Sequence, residues 1–331
     1  DASLGATPSS FALWAPTAAN VAVCTYRTPA GASASLLPLQ RDAASGVWRA
    51  QASGSSGPYY LYLVDVFVPG VGVVRNRVTD PYSIGLSADG SRSLVVDLDA
   101  SDSQPPGWPS APPRRIDHNV DLSIYELHVR DFSRDDATVP AEHRGKYLAF
   151  THPGSNGMRH LRALADAGIT DVDLLPVFDF TTVPERGCDP AAPADKDCFN
   201  WGYEPAHFNA PEGSYATDPD GLARIVEFRR MVQALHAAGL RVGMDVVYNH
   251  TTASGQAAAS VLDRIVPGYY HRLDAKGDVE RSTCCANTAT EHRMMAKLMR
   301  DSVVQWATQF GVDSFRFDLM GHQPRAAMEQ L

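Results

Sequence analysis

Residues 312–322, VDSFRFDLMGH, place an arginine and a carboxylate two positions apart at the end of a strand-like alternation. In a strand, residues i and i+2 share a face, so Phe315 and Phe317 look one way and Arg316 and Asp318 the other. A guanidinium that close favours the ionised carboxylate and lowers its pKa by roughly 1 to 3. A carboxylate nucleophile needs that state, although a structural ion pair at a strand end produces the same spacing. Upstream, the apolar run LRVGM leads into DVVYNHT at 245–251, so a second buried strand ends in Asn249, His250 and a hydroxyl-rich turn. Two neighbouring strands delivering polar groups at their C-terminal ends point to a site at the top of a parallel barrel.

The elements that position these groups are legible as a change of pattern. Residues 10 to about 100 contain the short alternating runs SFALWAP, NVAVCTY, GVWRAQ, YYLYLVDVF, GVVRNRVTD and SLVVDLD, separated by Gly, Pro, Ser and Asn. Such spacing predicts a small β-sandwich. A Pro-rich stretch at 105–113 reads as a linker over the surface. From about His118, strands predicted at 123–129, 170–177, 240–248 and 312–318 alternate with helices at 158–167, 219–238 and 291–310, the signature of parallel βα units. Leu222, Ile225, Val226, Val232 and Leu235 form the core stripe of the second helix, and Met294, Met295, Leu298, Met299 and Trp306 that of the third.

The resulting scheme is a sandwich at 1–100, a linker at 101–117 and four βα units at 118–331. Four parallel strands make half of an eight-stranded barrel, which leaves two open edges and an uncovered interior. The expectation is therefore the front portion of a larger protein, its barrel truncated. An open doubly wound sheet complete in itself is the alternative, and it predicts a crevice where the strand order reverses.

Composition narrows the function. A 331-residue chain that is 44% hydrophobic can bury a large core. A net charge of -9 with no Lys/Arg block argues against nucleic acid as partner. No apolar run approaches the ~18 residues of a membrane span, and no GxxxxGK, CxxC or HExxH spacing is present. The chain begins at Asp1 without a leader pattern, so its natural start is expected upstream. Cys188 and Cys198 bracket the loop CDPAAPADKDC, as a local bridge worth about 2 to 3 kcal/mol or as two free loop thiols. Adjacent Cys284 and Cys285 could join only with strain and are expected as buried thiols; Cys24 lies in a strand pattern and reads as core.

Taken together, FNWGYEP (199–205), PEGSYATDP (211–219), DVVYNHT (245–251), STCCANTATEHRMMAKL (282–298) and FRFDLMGH (315–322) resemble bacterial type I pullulanases, debranching members of the α-amylase clan of glycoside hydrolases. The likeness covers essentially the whole length; NWGY and the CC-to-EHRMMAKL stretch are its narrower pointers. It implies an immunoglobulin-like carbohydrate-binding module, starch-associated, followed by the first half of a (β/α)8 TIM barrel. Trp14 and Trp48 of the module could stack on a glucan, with core packing the expected role.

The resemblance also implies roles. Asp318 would be the nucleophile, with Arg316 holding it ionised, and His250 would bond sugar hydroxyls beside the scissile linkage. Asp245 would brace Arg316 structurally. Tyr203 would offer a ring to the glucose at the cleavage point with Trp201 in support, and Asn249 and His322 would add substrate contacts. Strand parity groups Asp245, Val247 and Asn249, so His250 must sit just beyond the strand. Phe199 and Glu204 stand where the family often has Tyr and Asp.

The family's general acid and its late His-Asp pair have no matching positions, and Glu329 is no substitute. The implied reaction is retaining hydrolysis of α-1,6 branch linkages in pullulan, amylopectin or limit dextrins, with two carboxyls roughly 5 to 5.5 Å apart. General-acid help is worth about 100- to 10,000-fold, so this chain alone is expected to be inactive. The partner is an α-glucan polysaccharide, with the remainder of the barrel expected from further C-terminal sequence. An isoamylase or glycogen-debranching hydrolase is one alternative, which NWGY argues against; a non-catalytic glucan-binding protein is another. Calcium is expected from the clan, with no EF-hand-like spacing to name ligands. A secreted, cell-surface or periplasmic setting fits a polysaccharide substrate, and a cytoplasmic glycogen role is the other option.

Overall fold

The computed structural model describes residues 2–3, 9–33, 35–52, 57–110, 115–187, 199–282 and 284–331. The alternating runs of the first hundred residues pair as two antiparallel sheets. One has the order Ala2–Ser3, Ser9–Trp14, Val47–Ala52, Gln40–Arg41; the other is built on Tyr59–Val68, which pairs with Asn20–Tyr26, Gly72–Val78 and Ser93–Leu94. Phe11, Leu13, Val23, Tyr60, Tyr62 and Val64 are buried between them, with the Phe11 and Tyr60 rings edge to face at 5.2 Å. Both module tryptophans are committed to packing. Trp48 is buried and donates from Nε1 to the Ala15 carbonyl at 2.9 Å, while Trp14 meets Tyr269 edge-on at 4.9 Å. The predicted strand at 93–99 shrinks to Ser93–Leu94.

The second unit carries a four-stranded parallel sheet: β1 (Ile124–Leu127), β2 (Asp171–Leu174), β3 (Arg241–Val246) and β4 (Ser314–Phe317), in chain order. Helices α1 (Asn156–Asp166), α2 (Ala223–Ala237) and α3 (Arg293–Phe310) connect them. No strand-order reversal occurs among these four, so the crevice expected of a doubly wound sheet is not formed there. The strands are shorter than their apolar runs, because burial extends past the last paired residue: Val177, Val247 and Tyr248 are buried yet outside the ladder.

Helix ends follow local chemistry. Ser155 caps α1, its Oγ accepting from the Met158 amide at 3.2 Å. Gly311 ends α3 at φ 70°, in the left-handed region that favours glycine. The α3 face Met295, Leu298, Met299, Trp306 and Phe310 is buried as the periodicity requires. On α2 the buried set also includes Arg224, Glu227 and Arg229, which hydrophobic spacing does not reveal.

Those buried cations fasten the parts together. Arg229 donates to the carbonyls of Leu98 (3.0 Å), Ser103 (2.9 Å) and Gln309 (3.0 Å), and its guanidinium lies 5.1 Å from the Trp108 ring centre. Burial brings its pKa down to about 10. The linker through residue 110 is thus pinned to α2 rather than draped, and 111–113 lie outside the described residues. Arg224 sits fully buried among Glu185 (2.9 Å) and Asp179 (3.5 Å). From there contacts pass to the sandwich: Glu185 Oε2 accepts from the Asp89 amide at 2.6 Å, the Glu185 amide donates to Asp89 Oδ1 at 2.8 Å, and His207 joins Asp179 to Thr79, 2.6 Å from each.

Glu212 lies within reach of the same group. Burial and its acidic neighbours push its carboxyl well above the ordinary range, and burial brings that of Glu185 up to about 7. Removing the guanidinium from such a cluster leaves carboxylates buried without a counter-charge. Arg224→Met is expected to cost about 3 to 5 kcal/mol at neutral pH, read as a lower urea midpoint. The loss should shrink toward about pH 5 as the carboxyls take up protons; an equal loss at both pH values would contradict this account.

Candidate functional site

Register delivers the first contacts. On the neighbouring strands β3 and β4, Asp245 stands opposite Arg316. Arg316 Nη1 donates to Asp245 Oδ1 at 3.0 Å and Oδ2 at 2.9 Å, and to Asp318 Oδ1 at 3.0 Å. Phe315 and Phe317 pack against the core from the other face. The two carboxylates differ in setting: Asp245 is 2% exposed, whereas Asp318 is half-buried at the strand end. Burial raises the Asp245 carboxyl, outweighing the pull of the Tyr203 and Arg316 hydrogen bonds and the Arg316 charge.

The Asp318 amide closes the ladder on the Val246 carbonyl at 2.9 Å. The next residue, Leu319, takes φ 45°, a left-handed conformation that costs a non-glycine residue roughly 1 to 2 kcal/mol. The chain therefore turns away directly after Asp318. Strain of this kind concentrates where a site over-determines the backbone.

His250 arrives by a separate route. β3 ends at Val246, and His250–Thr251 form a two-residue ribbon with Ala286–Asn287, so His250 lies beyond the strand as parity required. Its Nε2 donates to the Tyr203 carbonyl at 2.7 Å, and its Nδ1 accepts from Asn249 Nδ2 at 2.8 Å. Tyr203 in turn donates its hydroxyl to Asp245 Oδ2 at 2.6 Å. Asp318, Arg316, Asp245, Tyr203, His250 and Asn249 are thereby one connected network. Trp201 is 61% exposed beside it, its ring 6.5 Å from that of Tyr203.

Other expected site residues sit differently. Asn249 is buried behind His250, its side-chain Nδ2 spent on that ring and its backbone carbonyl accepting from the Thr288 amide. In this structure it touches the His250 ring. His322 stands outside the network, with Nδ1 3.4 Å from Ser282 Oγ and its carbonyl accepting from Arg272. Glu329 pairs with Arg325 on an exposed turn. Cys188 and Cys198 lie outside the described residues. Cys284 and Cys285 are not buried thiols: they are joined as a disulfide, Cys284 being exposed. Both lie in a bend just before the ribbon.

One residue was missed. Asp173 on β2 lies in register between Glu126 and Gly243. A Cβ on Gly243 would come within 2.7 Å of Asp173 Oδ1 and 3.0 Å of Ser314 Oγ, so only glycine leaves room for that carboxyl. Burial, then the charges of Asp245 and Glu126, bring the Asp173 carboxyl up to about 6, against the pull of Arg316. The alternation DVDLL, with carboxylates at 171 and 173 in a buried strand, was the available signal.

Among the described residues, the group with a calcium-like all-oxygen donor set is Asp179, Glu185 and Glu212. It does not fit the ion. Arg224, His207 and backbone amides already occupy its oxygens, and Ca²⁺ takes 6 to 8 oxygen ligands. No helix is long and apolar enough to cross a membrane.

Comparison with known proteins places this geometry. Residues 3–83 match carbohydrate-binding module 48, the isoamylase N-terminal domain. The chain is 45% identical to chloroplastic pullulanase 1 of Arabidopsis thaliana over 99% of its own length and 37% of that protein's. It superposes on the apo pullulanase of Klebsiella pneumoniae with a TM-score of 0.94 at 39% identity, covering 99% of this chain and 42% of that one. The maltotriose complex of a Klebsiella pneumoniae pullulanase matches with a TM-score of 0.91 at 39% identity, over 100% of this chain and 37% of that one. The chain thus spans roughly two fifths of the length of these relatives.

The Asp173 carboxyl has a stability consequence. Its folded-state pKa of about 6 lies above the ~3.9 of an unfolded aspartate, so its ionisation costs stability as pH rises from about 4 through 6. Asp173→Asn is expected to raise the Tm at about pH 7.5 and to change it little near pH 4.5, followed by thermal unfolding at both. A fall in Tm at pH 7.5 that is absent at pH 4.5 would show instead that the carboxylate is needed charged.

Proposed function

Because this chain is a homologue of the pullulanases, we propose that it works in an α-glucan debranching hydrolase cleaving α-1,6-glucosidic linkages in pullulan, amylopectin and limit dextrins. The observation that carries this reading is the Arg316 guanidinium shared between buried Asp245 and half-buried Asp318. It leaves one carboxylate at the mouth of the sheet with a cation beside it, the arrangement a glycosidic nucleophile requires.

In this reading Asp318 attacks the anomeric carbon to form a glucosyl ester, and a carboxylic acid on the other side protonates the departing oxygen. Water then hydrolyses the ester with retention. Arg316 orients Asp318, and Asp245 braces Arg316. His250, fixed by the Tyr203 carbonyl and Asn249, is aimed at sugar hydroxyls. Tyr203 supplies a ring face to the glucose at the cleavage point, and exposed Trp201 extends that platform. His322 contributes from the rim.

We read β1 to β4 as half of an eight-stranded (β/α)8 barrel, with the protonating acid carried on a strand beyond β4. The module-48 match supports contact of the sandwich with glucan, by surfaces other than the packed Trp14 and Trp48. A polysaccharide substrate and the Cys284–Cys285 disulfide support a secreted or surface-held protein. The second reading, a non-catalytic glucan-binding protein, rests on the module match alone.

Asp318→Asn in the complete protein is expected to cut release of reducing sugar from pullulan by roughly 10,000-fold or more while glucan binding stays measurable. Retained turnover would remove Asp318 from the nucleophile's role. The 331-residue chain by itself is expected to release no reducing sugar, since it holds one of the two carboxyls; release at the rate of a complete enzyme would overturn that.

A further inference from the structure

Both sulfurs of Cys284 and Cys285 and a ring nitrogen of His250 lie within 4.8 Å of one another. In the disulfide form the sulfurs are consumed by their mutual bond. Once that bond is opened, the same three positions offer two thiolates and an imidazole. We propose that the reduced Cys284–Cys285 pair and His250 bind one soft divalent cation of the zinc or cadmium class, three protein ligands leaving a fourth position open.

The donor set is chemically selective. Two thiolates cancel the charge of the cation and exclude hard ions such as calcium and magnesium, which take oxygen ligands. Ligands about 2.0 to 2.3 Å from zinc stand roughly 3.3 to 3.8 Å apart in a tetrahedron, so the two sulfurs must separate once their bond opens, while the imidazole nitrogen already lies within 4.8 Å of both. The imidazole is already oriented. Its Nε2 donates to the Tyr203 carbonyl, which leaves the lone pair on Nδ1, engaged by the Asn249 amide alone. Asn249 Oδ1 is buried with no hydrogen-bond partner, so the bond to His250 Nδ1 is the polar contact that holds the Asn249 side chain.

The chemistry balances without a hidden reactant. A trialkylphosphine breaks the S–S bond by supplying two electrons and leaves as its oxide with the oxygen of one water, while each sulfur takes a proton. Cation binding then releases the two thiol protons. The inference uses only this geometry, so it stands or falls apart from the hydrolase reading.

The test uses the full chain in a Cys188→Ser, Cys198→Ser background, which leaves the pair and buried Cys24 as its cysteines. Cadmium is titrated with and without prior phosphine reduction, following the ultraviolet cadmium–thiolate charge-transfer band. The reduced protein is expected to saturate at one equivalent, the unreduced protein and a Cys284→Ser, Cys285→Ser variant to show no band, and His250→Gln to weaken binding by about tenfold or more. The cadmium NMR shift of the reduced protein in that background, with Cys284, Cys285 and His250 intact, should report two sulfurs and one nitrogen. A reduced protein that takes up no more cadmium than the unreduced one, or a shift with no nitrogen ligand, overturns the proposal.

Discussion

Arg316 carries one positive charge between two carboxylates of unequal burial, and much of the second unit is arranged to keep it there. Asp245 loses water on all sides and needs the guanidinium and the Tyr203 hydroxyl in compensation. Asp318 keeps partial access to solvent and shares the same nitrogen. A cation held by the deeper partner is thus presented to the shallower one at a fixed distance, and strand register rather than loop conformation sets that distance. Pre-organisation of this kind means that little need reorient when charge develops nearby.

A second cation solves a different problem. The sandwich and the parallel sheet meet through polar contacts that converge on buried Arg224, by way of Glu185, Asp179 and His207. Asn76 adds contacts to Gln256 and the Arg264 carbonyl, and Tyr82 to Asp301. Buried ionic networks contribute little net stability over apolar packing, but they punish misregistered partners severely. A seam built this way specifies one relative placement of the two units, which suits a module that must present its surface in a fixed relation to a site elsewhere.

Legibility in the sequence tracked periodicity. The four parallel strands and three helices follow directly from alternating and helical spacing, and Phe315/Phe317 against Arg316/Asp318 is a pure parity argument that the contacts match. The position of His250 past the strand end followed from the same parity. Periodicity is blind to polar groups buried for tertiary reasons, so Arg224, Arg229 and Asp173 passed unnoticed among apolar neighbours. Cys284 and Cys285 are joined although adjacency reads as strain, because residue spacing does not reveal the local backbone conformation that lets neighbouring sulfurs meet. Residue type made Asn249 legible as polar at a strand end, while its burial and its bond to the His250 ring were not readable from spacing.

Tyr203 is tethered at both ends, its hydroxyl to β3 and its carbonyl to the His250 ribbon. A segment held at two points that belong to different elements cannot swing about either one singly. Tilting the ring would have to break the bond to Asp245 or drag His250 along. Anything pressing on that ring would therefore meet a rigid anvil rather than a yielding flap, and any give would have to come from neighbouring Trp201, which is largely exposed.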